Sequence, residues 1–374
     1  MYAASIDGGQ PVLVLHVPNA AMFVRGKLLF LRATTLMAQD FDTSSLRLNA
    51  EPTSIASNVA YDLGIWRGIF STSETGMLVY SGGDPSGHRL QWFSAAGQPE
   101  QELSYTKHTY YSSTVLSPKG TQIAETVDPT ADLWVTDLNG GGRIRLTADR
   151  TSNPVWSPDE RQVAYAQVDD SGGPKTLARA ADGTGSEKVL SPEPVWQTPT
   201  DWSPDGKYIL YDRGDPGAAH VWAMAVTPGG KPFPVAQTES WEREGHFSPD
   251  GNWIVFTSRE SGTDQVYVTR FPGPGPKWQV SVNGGLGPRW SPDGKWISYW
   301  NGAQNVLFKR PISIRNSTPV FDSERNFING AVYHNAFSDA DYSLSRDGRV
   351  LVNRVGEQST HLTLVMNWTP EPRK

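Results

Sequence analysis

The stretch Trp202-Ser203-Pro204-Asp205-Gly206-Lys207-Tyr208-Ile209-Leu210-Tyr211 decides the fold, because its pattern keeps returning. Ser-Pro-Asp-Gly recurs at Ser248–Gly251 and Ser291–Gly294, with degenerate copies at Ser117-Pro-Lys-Gly120, Ser157-Pro-Asp-Glu160 and Ser345-Arg-Asp-Gly348. The first serines stand 40, 46, 45, 43 and 54 residues apart. A period of that size marks an array of small equivalent units.

The chemistry of one unit is local. Proline presets φ for the first central position of a tight turn, aspartate suits the second, and glycine supplies a positive φ. Such a turn joins two strands of a hairpin. Trp156, Trp202, Phe247 or Trp290 closes the incoming strand. In the outgoing strand Val163 and Tyr165, Ile209 and Tyr211, Ile254 and Phe256, and Ile297 and Tyr299 fall on one face. Leu210 and Val255 between them make the strand apolar on both faces, which is expected of a strand buried on both sides. Third strands follow at Asp132–Leu138, His220–Val226 and Gln265–Phe271, and short fourth strands at Arg143–Thr147 and Trp278–Val282. Four short strands and their connections fill the repeat, which is the construction of a propeller blade.

The fold expected is therefore all-β, a β-propeller of four-stranded antiparallel blades with almost no helix. The inner hairpins count eight blades, beginning near residues 22, 69, 112, 153, 199, 244, 286 and 340; seven is the alternative. The chain is expected to form one domain, 1–374. Tyr2–Ile6 and Pro11–Leu15 resemble outer strands, so residues 1–17 are expected to complete the last blade, built from Tyr342–Arg354 and His361–Trp368. A start in mid-blade suggests a piece of a longer protein. Within the repeat, Glu160 replaces the turn glycine, Lys119 the turn aspartate, and Glu125 the second-strand aromatic.

Composition narrows the function. There is no cysteine, hence no disulfide, thiolate metal site or cysteine nucleophile. The formal net charge is −6, with no basic run, which argues against a nucleic-acid or anionic-membrane partner. No apolar run is long enough to span a bilayer, and Met1–Val24 lacks the basic start of a secretory signal. The expected state is a monomer without membrane insertion.

The motif W-S-P-D-G-K-x-I-x-Y, followed by a strand of the form D-x-W/Y-V, resembles the TolB-type repeat, a relative of the WD repeat. The likeness is strongest over residues 112–300. Phe271–Gln279, Gly26–Asp42 and Leu362–Trp368 are similar to the propeller carried by bacterial serine/threonine kinases of the eukaryotic-like type. That resemblance implies a binding or sensory propeller placed after a kinase domain, in the periplasm or cell envelope. The kinase's own motifs are absent from these residues, so kinase activity is not implied.

No catalytic motif stands out. A serine hydrolase needs G-x-S-x-G, which does not occur. The seven histidines, His16, His88, His108, His220, His246, His334 and His361, show no ligand spacing, so no metal site and no cofactor are expected. Asp339, Asp341 and Ser343 alternate like calcium ligands but lack the glycine and glutamate of a calcium loop. The function expected is a non-enzymatic binding module for a protein, peptide or small molecule. Its candidate contact residues are Trp196, Trp241, Glu242, Arg243 and His246, since aromatics beside arginine compose interface hot spots. The competing class is a metal-assisted polysaccharide lyase or hydrolase with its site in the central channel. Such an enzyme would gather two histidines, or a histidine with an arginine and carboxylates, about one point.

Overall fold

In the computed structural model, residues 1–4, 8, 10–15, 17, 20–32, 34–62, 67–82, 88–103, 111–127, 131–147, 151–167, 175–191, 193, 195–215, 217–227, 230–330, 342–355, 362–366 and 368 are described. These residues contain strands and turns and no helix. The chain divides into two compact units, Met1–Gly87 with Gly356–Lys374, and His88–Val355, in place of the single domain expected.

The described residues of the second unit form six antiparallel sheets. Blade one runs outward as Tyr111–Leu116, Gln122–Val127, Asp132–Asp137 and Arg143–Arg145. Blade two is Thr151–Trp156, Gln162–Gln167, Lys175–Ala180 and Lys188–Ser191; blade three is Gln197–Trp202, Tyr208–Arg213, His220–Ala225 and Phe233–Ala236. Blade four is Glu242–Phe247, Trp253–Ser258, Gln265–Arg270 and Lys277–Gln279. In blade five, Leu286–Trp290 and Trp296–Asn301 lead to a long strand, Val306–Arg315, which pairs with both Arg325–Asn329 and an added hairpin strand, Thr318–Phe321. That insertion accounts for the longest interval between repeat serines.

Blade six closes the series. Its inner strands, Tyr342–Leu344 and Val350–Val355, pair with His88–Phe93, which in turn pairs with Pro99–Glu102. The Leu116 amide of blade one donates to Ser343 Oγ of blade six at 3.1 Å. On its other side the Tyr342 hydroxyl of blade six donates to Gly287 O of blade five at 2.8 Å. The six sheets thus form a ring closed by strands from opposite ends of the unit.

The first unit holds a four-stranded sheet, Met22–Val24, Lys27–Arg32, Thr35–Asp42 and Arg47–Ala56, and a three-stranded sheet, Phe70–Thr72, Met77–Ser81 and Leu362–Met366. Tyr2–Ala3 with Val12–Leu13, and Tyr61–Asp62 with Arg67–Gly68, are separate two-residue pairings. Among the described residues, hairpins begin at Met22, Phe70, Tyr111, Thr151, Gln197, Glu242, Leu286 and Tyr342.

Two pairings correct the expectation. Among the described residues, 1–17 do not complete the last blade: Tyr2–Ala3 pairs with Val12–Leu13, and His88–Phe93 takes the third place in blade six. Leu362–Met366, expected as that third strand, pairs instead with Met77–Ser81. Both segments are short and largely uncharged at their centres, so either can present a compatible edge. The exchange puts Leu90, Trp92 and Phe93 into the blade-six core, where all three are buried.

The turns behave as their chemistry dictates. In blade three the Gly206 amide donates to Ser203 O at 2.8 Å with φ +75° at the glycine, and Ser203 Oγ donates to Asp205 Oδ1 at 2.7 Å. Hydrogen bonds to this exposed aspartate, chiefly from Lys207 and Ser203, lower its pKa to about 2. Glu160 adopts the same conformation with φ +63°. Its carboxylate accepts the Lys119 amide of the preceding blade, an interaction that helps offset the left-handed backbone. Behind each turn both faces of the second strand are filled: Val163, Ala164 and Tyr165 are fully buried, as are Ile254, Val255 and Phe256. Burying each of the large side chains contributes about 1.5–3 kcal/mol.

Closure through His88–Phe93 predicts that Leu90→Ala costs about 3 kcal/mol, measurable as a lower urea midpoint at unchanged slope. A cost below about 1 kcal/mol would show that this strand is not part of the packed ring.

Candidate functional site

Each blade's innermost strand has a backbone edge with no further strand beside it. Buried amides and carbonyls on that edge need partners. In this ring, side chains of the adjacent blade supply them. Ser113 Oγ of blade one accepts the Asn153 amide at 3.3 Å, and Glu244 of blade four accepts the Gly287 amide at 2.6 Å. Asn153, Glu244 and Gly287 hold equivalent places four residues before their repeat serines, and all have positive φ, at +50°, +61° and +56°. The pairing register shifts at each of these places, so each marks a bulge. Blade three has Pro199 at this place; there Asp212 of the second strand accepts the Glu244 amide at 3.1 Å instead.

Two residues before the repeat serines lies a second set: Val115, Val155, Asp201, His246, Arg289 and Ser343. Blades three, four and five therefore carry an acid, an imidazole and a guanidinium at one level, facing a set otherwise made of two valines and a serine. His246 Nδ1 lies 3.6 Å from Asp201 Oδ2. His246 is buried, and its Nε2 has no hydrogen-bond partner among the described residues. Burial and the Arg289 guanidinium push its pKa down, outweighing Asp201 and Glu244, which pull the other way. The imidazole is held neutral.

The carboxylates beside it are committed. Asp201 Oδ1 accepts the Trp202 amide at 2.8 Å, and Oδ2 accepts the Phe247 amide at 2.7 Å. One oxygen of fully buried Glu244 accepts both the Gly287 amide and the Thr257 hydroxyl, each at 2.6 Å. Arg289 donates to Pro288 O at 2.9 Å and lies near the Tyr342 ring.

The five residues singled out from sequence divide into two settings. Trp196 is exposed, donates through Nε1 to Thr198 Oγ1 at 3.2 Å, and sits seven residues before Ser203. Trp241 holds the equivalent place before Ser248. The Arg243 and Arg259 guanidinium groups lie 4.6 and 5.4 Å from the Trp241 ring centre. Glu242 and His246, by contrast, are interior, and the Arg243 side chain is mostly covered. They belong to the inner strand Glu242–Phe247, not to a loop before it.

Glu242 has no exposed surface and so cannot meet a ligand directly. It accepts the Thr238 amide at 3.2 Å, the Thr238 hydroxyl, and contacts His220 Nδ1 at 2.7 Å. His220, named from sequence only as a strand residue and one of seven histidines, is thus the partner of the buried Glu242 carboxylate. His16, His108, His334, His361, Asp339 and Asp341 lie outside the described residues. Among the described residues, no three histidines or carboxylates are placed to share a metal ion.

Comparison with known proteins follows the same lines. A putative TolB from Agrobacterium tumefaciens superposes with a TM-score of 0.55 at 16% identity, covering 71% of this chain and 97% of that one. Hydrazine synthase of Kuenenia stuttgartiensis gives 0.51 at 14% identity, over 79% and 94%. In sequence, the Tol-Pal system protein TolB of Alcanivorax borkumensis is 40% identical over 57 residues, and the uncharacterized peptidase YuxL of Bacillus subtilis 29% over 83. Those stretches cover 15% and 22% of this chain, and only 13% and 12% of the relatives' own lengths. No protein-family model matches. The fold is a TolB-type β-propeller.

Two outcomes follow. A base with a depressed folded pKa adds stability that is complete above its unfolded pKa and is lost as pH falls through the folded value. The His246 contribution is therefore whole above its ordinary 6.5 and lost on acidification below it. His246→Gln should flatten that part of the stability–pH curve, read by thermal unfolding from pH 7.5 to 4.5; an unchanged curve would dissociate His246 from it. Glu244→Gly weighs two effects. Relief of the left-handed conformation returns about 1–2 kcal/mol, whereas each lost bond to a charged group costs about 1.5–3 kcal/mol. The variant should be less stable by roughly 2 kcal/mol in urea titration.

Proposed function

We propose that this chain is a non-enzymatic binding module that engages a protein or peptide through the ring face bearing Trp196 and Trp241. The backbone bonds to Asp201 and Glu244 are the observation that carries this reading. A general base or metal ligand must keep an oxygen available for substrate or ion. Here both Asp201 oxygens and Oε2 of Glu244 accept backbone amides. A histidine, an arginine and carboxylates do stand together, as a channel enzyme would require. Their hydrogen bonds nevertheless point inward, to the scaffold.

The face offers what recognition needs. Trp196 and Trp241 recur at one repeat position in adjacent blades, and the second is flanked by two arginines. Tryptophan and arginine dominate interface hot spots because they bring large contact area with a polar tip. The resemblance of the chain to envelope propellers suits a sensory or protein-interacting role in a bacterial signalling protein. The described residues include no helix long and apolar enough to cross a membrane.

A peptide-display library selected on the intact chain provides the test. Selected peptides should lose about tenfold or more in affinity against Trp241→Ala and Trp196→Ala. Turnover of polyuronide, glycan or peptide substrates that disappears in His246→Ala would overturn the reading in favour of an enzyme.

A further inference from the structure

We propose that Lys309 and Arg325, on adjacent strands of blade five, form a binding site for a doubly charged oxyanion of the phosphate type. None of the ring-face residues takes part.

Lys309 stands where blades one to four bury an apolar side chain. It lies opposite Ser298, seven residues after the repeat serine Ser291. The matching pairs are Ala124↔Val135, Ala164↔Ala178, Leu210↔Ala223 and Val255↔Val268. Val135, Ala178, Ala223 and Val268 are all buried, so the place needs no charge to fill it. Lysine there is only half-buried, and a charge drawn from water calls for a counter-charge.

No counter-charge is supplied. The residue directly across from Lys309 on the fourth strand is Arg325, and like charges so placed repel. Cations on other fourth strands have acids: Arg143 meets Glu125 at 3.0 Å, Arg145 meets Asp132 at 2.8 Å, and Lys277 meets Glu260. Among the described residues, neither Lys309 nor Arg325 forms an ion pair. Asp293, the acid whose field reaches Lys309, is held in its own turn by the Ser291 hydroxyl at 2.8 Å, the Lys295 amide at 3.1 Å and the Lys295 ammonium at 3.4 Å. Burial, and then Arg325, push the Lys309 pKa down against Asp293.

The ammonium is nevertheless held in place. Lys309 Nζ lies 4.9 Å from the Trp296 ring centre and 4.6 Å from that of Phe327. Those two rings meet edge to face at 5.6 Å. Contact with ring faces orients a cation without neutralising it. Arg325 is exposed, so solvent and solutes reach the pair. Arginine offers a planar fork that suits a tetrahedral oxyanion, and lysine adds a point charge. Two cations match two negative charges; a singly charged ligand would leave one of them unbalanced.

The experiment is calorimetric titration of the full chain with inorganic phosphate at constant ionic strength, with acetate as the singly charged control. Phosphate should bind saturably, and acetate at least tenfold more weakly. Lys309→Met and Arg325→Gln should each weaken phosphate binding about tenfold. Without phosphate, the thermal midpoint of Lys309→Met should equal or exceed that of the parent, because an apolar residue suits this place in four other blades. Glycerol phosphate that binds as tightly as phosphate would support a phosphate monoester as the ligand; binding of inorganic phosphate alone would support the free ion. Absence of saturable binding, equal binding of acetate, or phosphate affinity unchanged in both variants would overturn the proposal. So would a lowered midpoint in Lys309→Met with phosphate affinity retained, which would make Lys309 a structural residue.

Discussion

A strand at the inner edge of a ring has one backbone edge without a neighbour, and the cost of leaving that edge unsatisfied shapes this protein. An unpaired buried amide costs about 1–3 kcal/mol. Partial compensation at six blades would drain much of a typical folding free energy. The ring answers with side chains that reach from one blade to the next: Ser343 to Leu116, Ser113 to Asn153, Asp201 to Phe247, Glu244 to Gly287. Thr200 adds a bond in the reverse sense, from its hydroxyl to Gly245 O at 2.7 Å. These contacts satisfy the backbone and join the blades in one act. The bulge four residues before the repeat serine accompanies them, with positive φ at Asn153, Glu244 and Gly287.

The same constraint bears on chemistry. Polar side chains on the inner strands look like a site when seen as a set, because Asp201, His246 and Arg289 lie at one level of three consecutive blades. Their bonds reveal divided duties. Asp201 and Glu244 are scaffold groups whose oxygens accept backbone amides. His246 is kept neutral by burial and by Arg289. Nearer the start of each inner strand, Trp196 and Trp241 hold equivalent places seven residues before their repeat serines, and arginines flank the second.

Much of this was legible in the sequence, for reasons that differ by level. Turns were legible because proline, aspartate and glycine act within four residues, and the six repeat turns were read from them. Burial of Tyr165, Tyr211, Phe256 and Tyr299 followed from strand alternation. The choice between His88–Phe93 and Leu362–Met366 as third strand was not legible, because strand pairing is a long-range competition that local pattern leaves open. Glu242 was misplaced for another reason: charge suggests exposure, yet Thr238 and His220 supply the donors that let a carboxylate be buried. The Asp201, His246, Arg289 level could have been found by aligning the repeats on their serines and reading two residues upstream.

Glu125 shows how far the repeat bends. It stands eight residues after Ser117, where blades two and five have Tyr165 and Tyr299. Those tyrosines donate to Glu187 and Glu324, each next to the start of its fourth strand. In blade one the acid lies inside and the partner is a cation: Arg143, first residue of the fourth strand, reaches Glu125 at 3.0 Å. Thr136 donates to the carboxylate at 2.8 Å, and the Arg143 guanidinium lies 4.4 Å from the Trp134 ring centre. Burial still raises the Glu125 pKa, against the pull of Arg143 and Thr136, so the exchange is not without cost. The position therefore does not require an aromatic as such. It requires an apolar shaft through the sheet and a polar tip that meets the beginning of the outermost strand. Either polarity of that pair will hold the second strand to the fourth across the width of a blade.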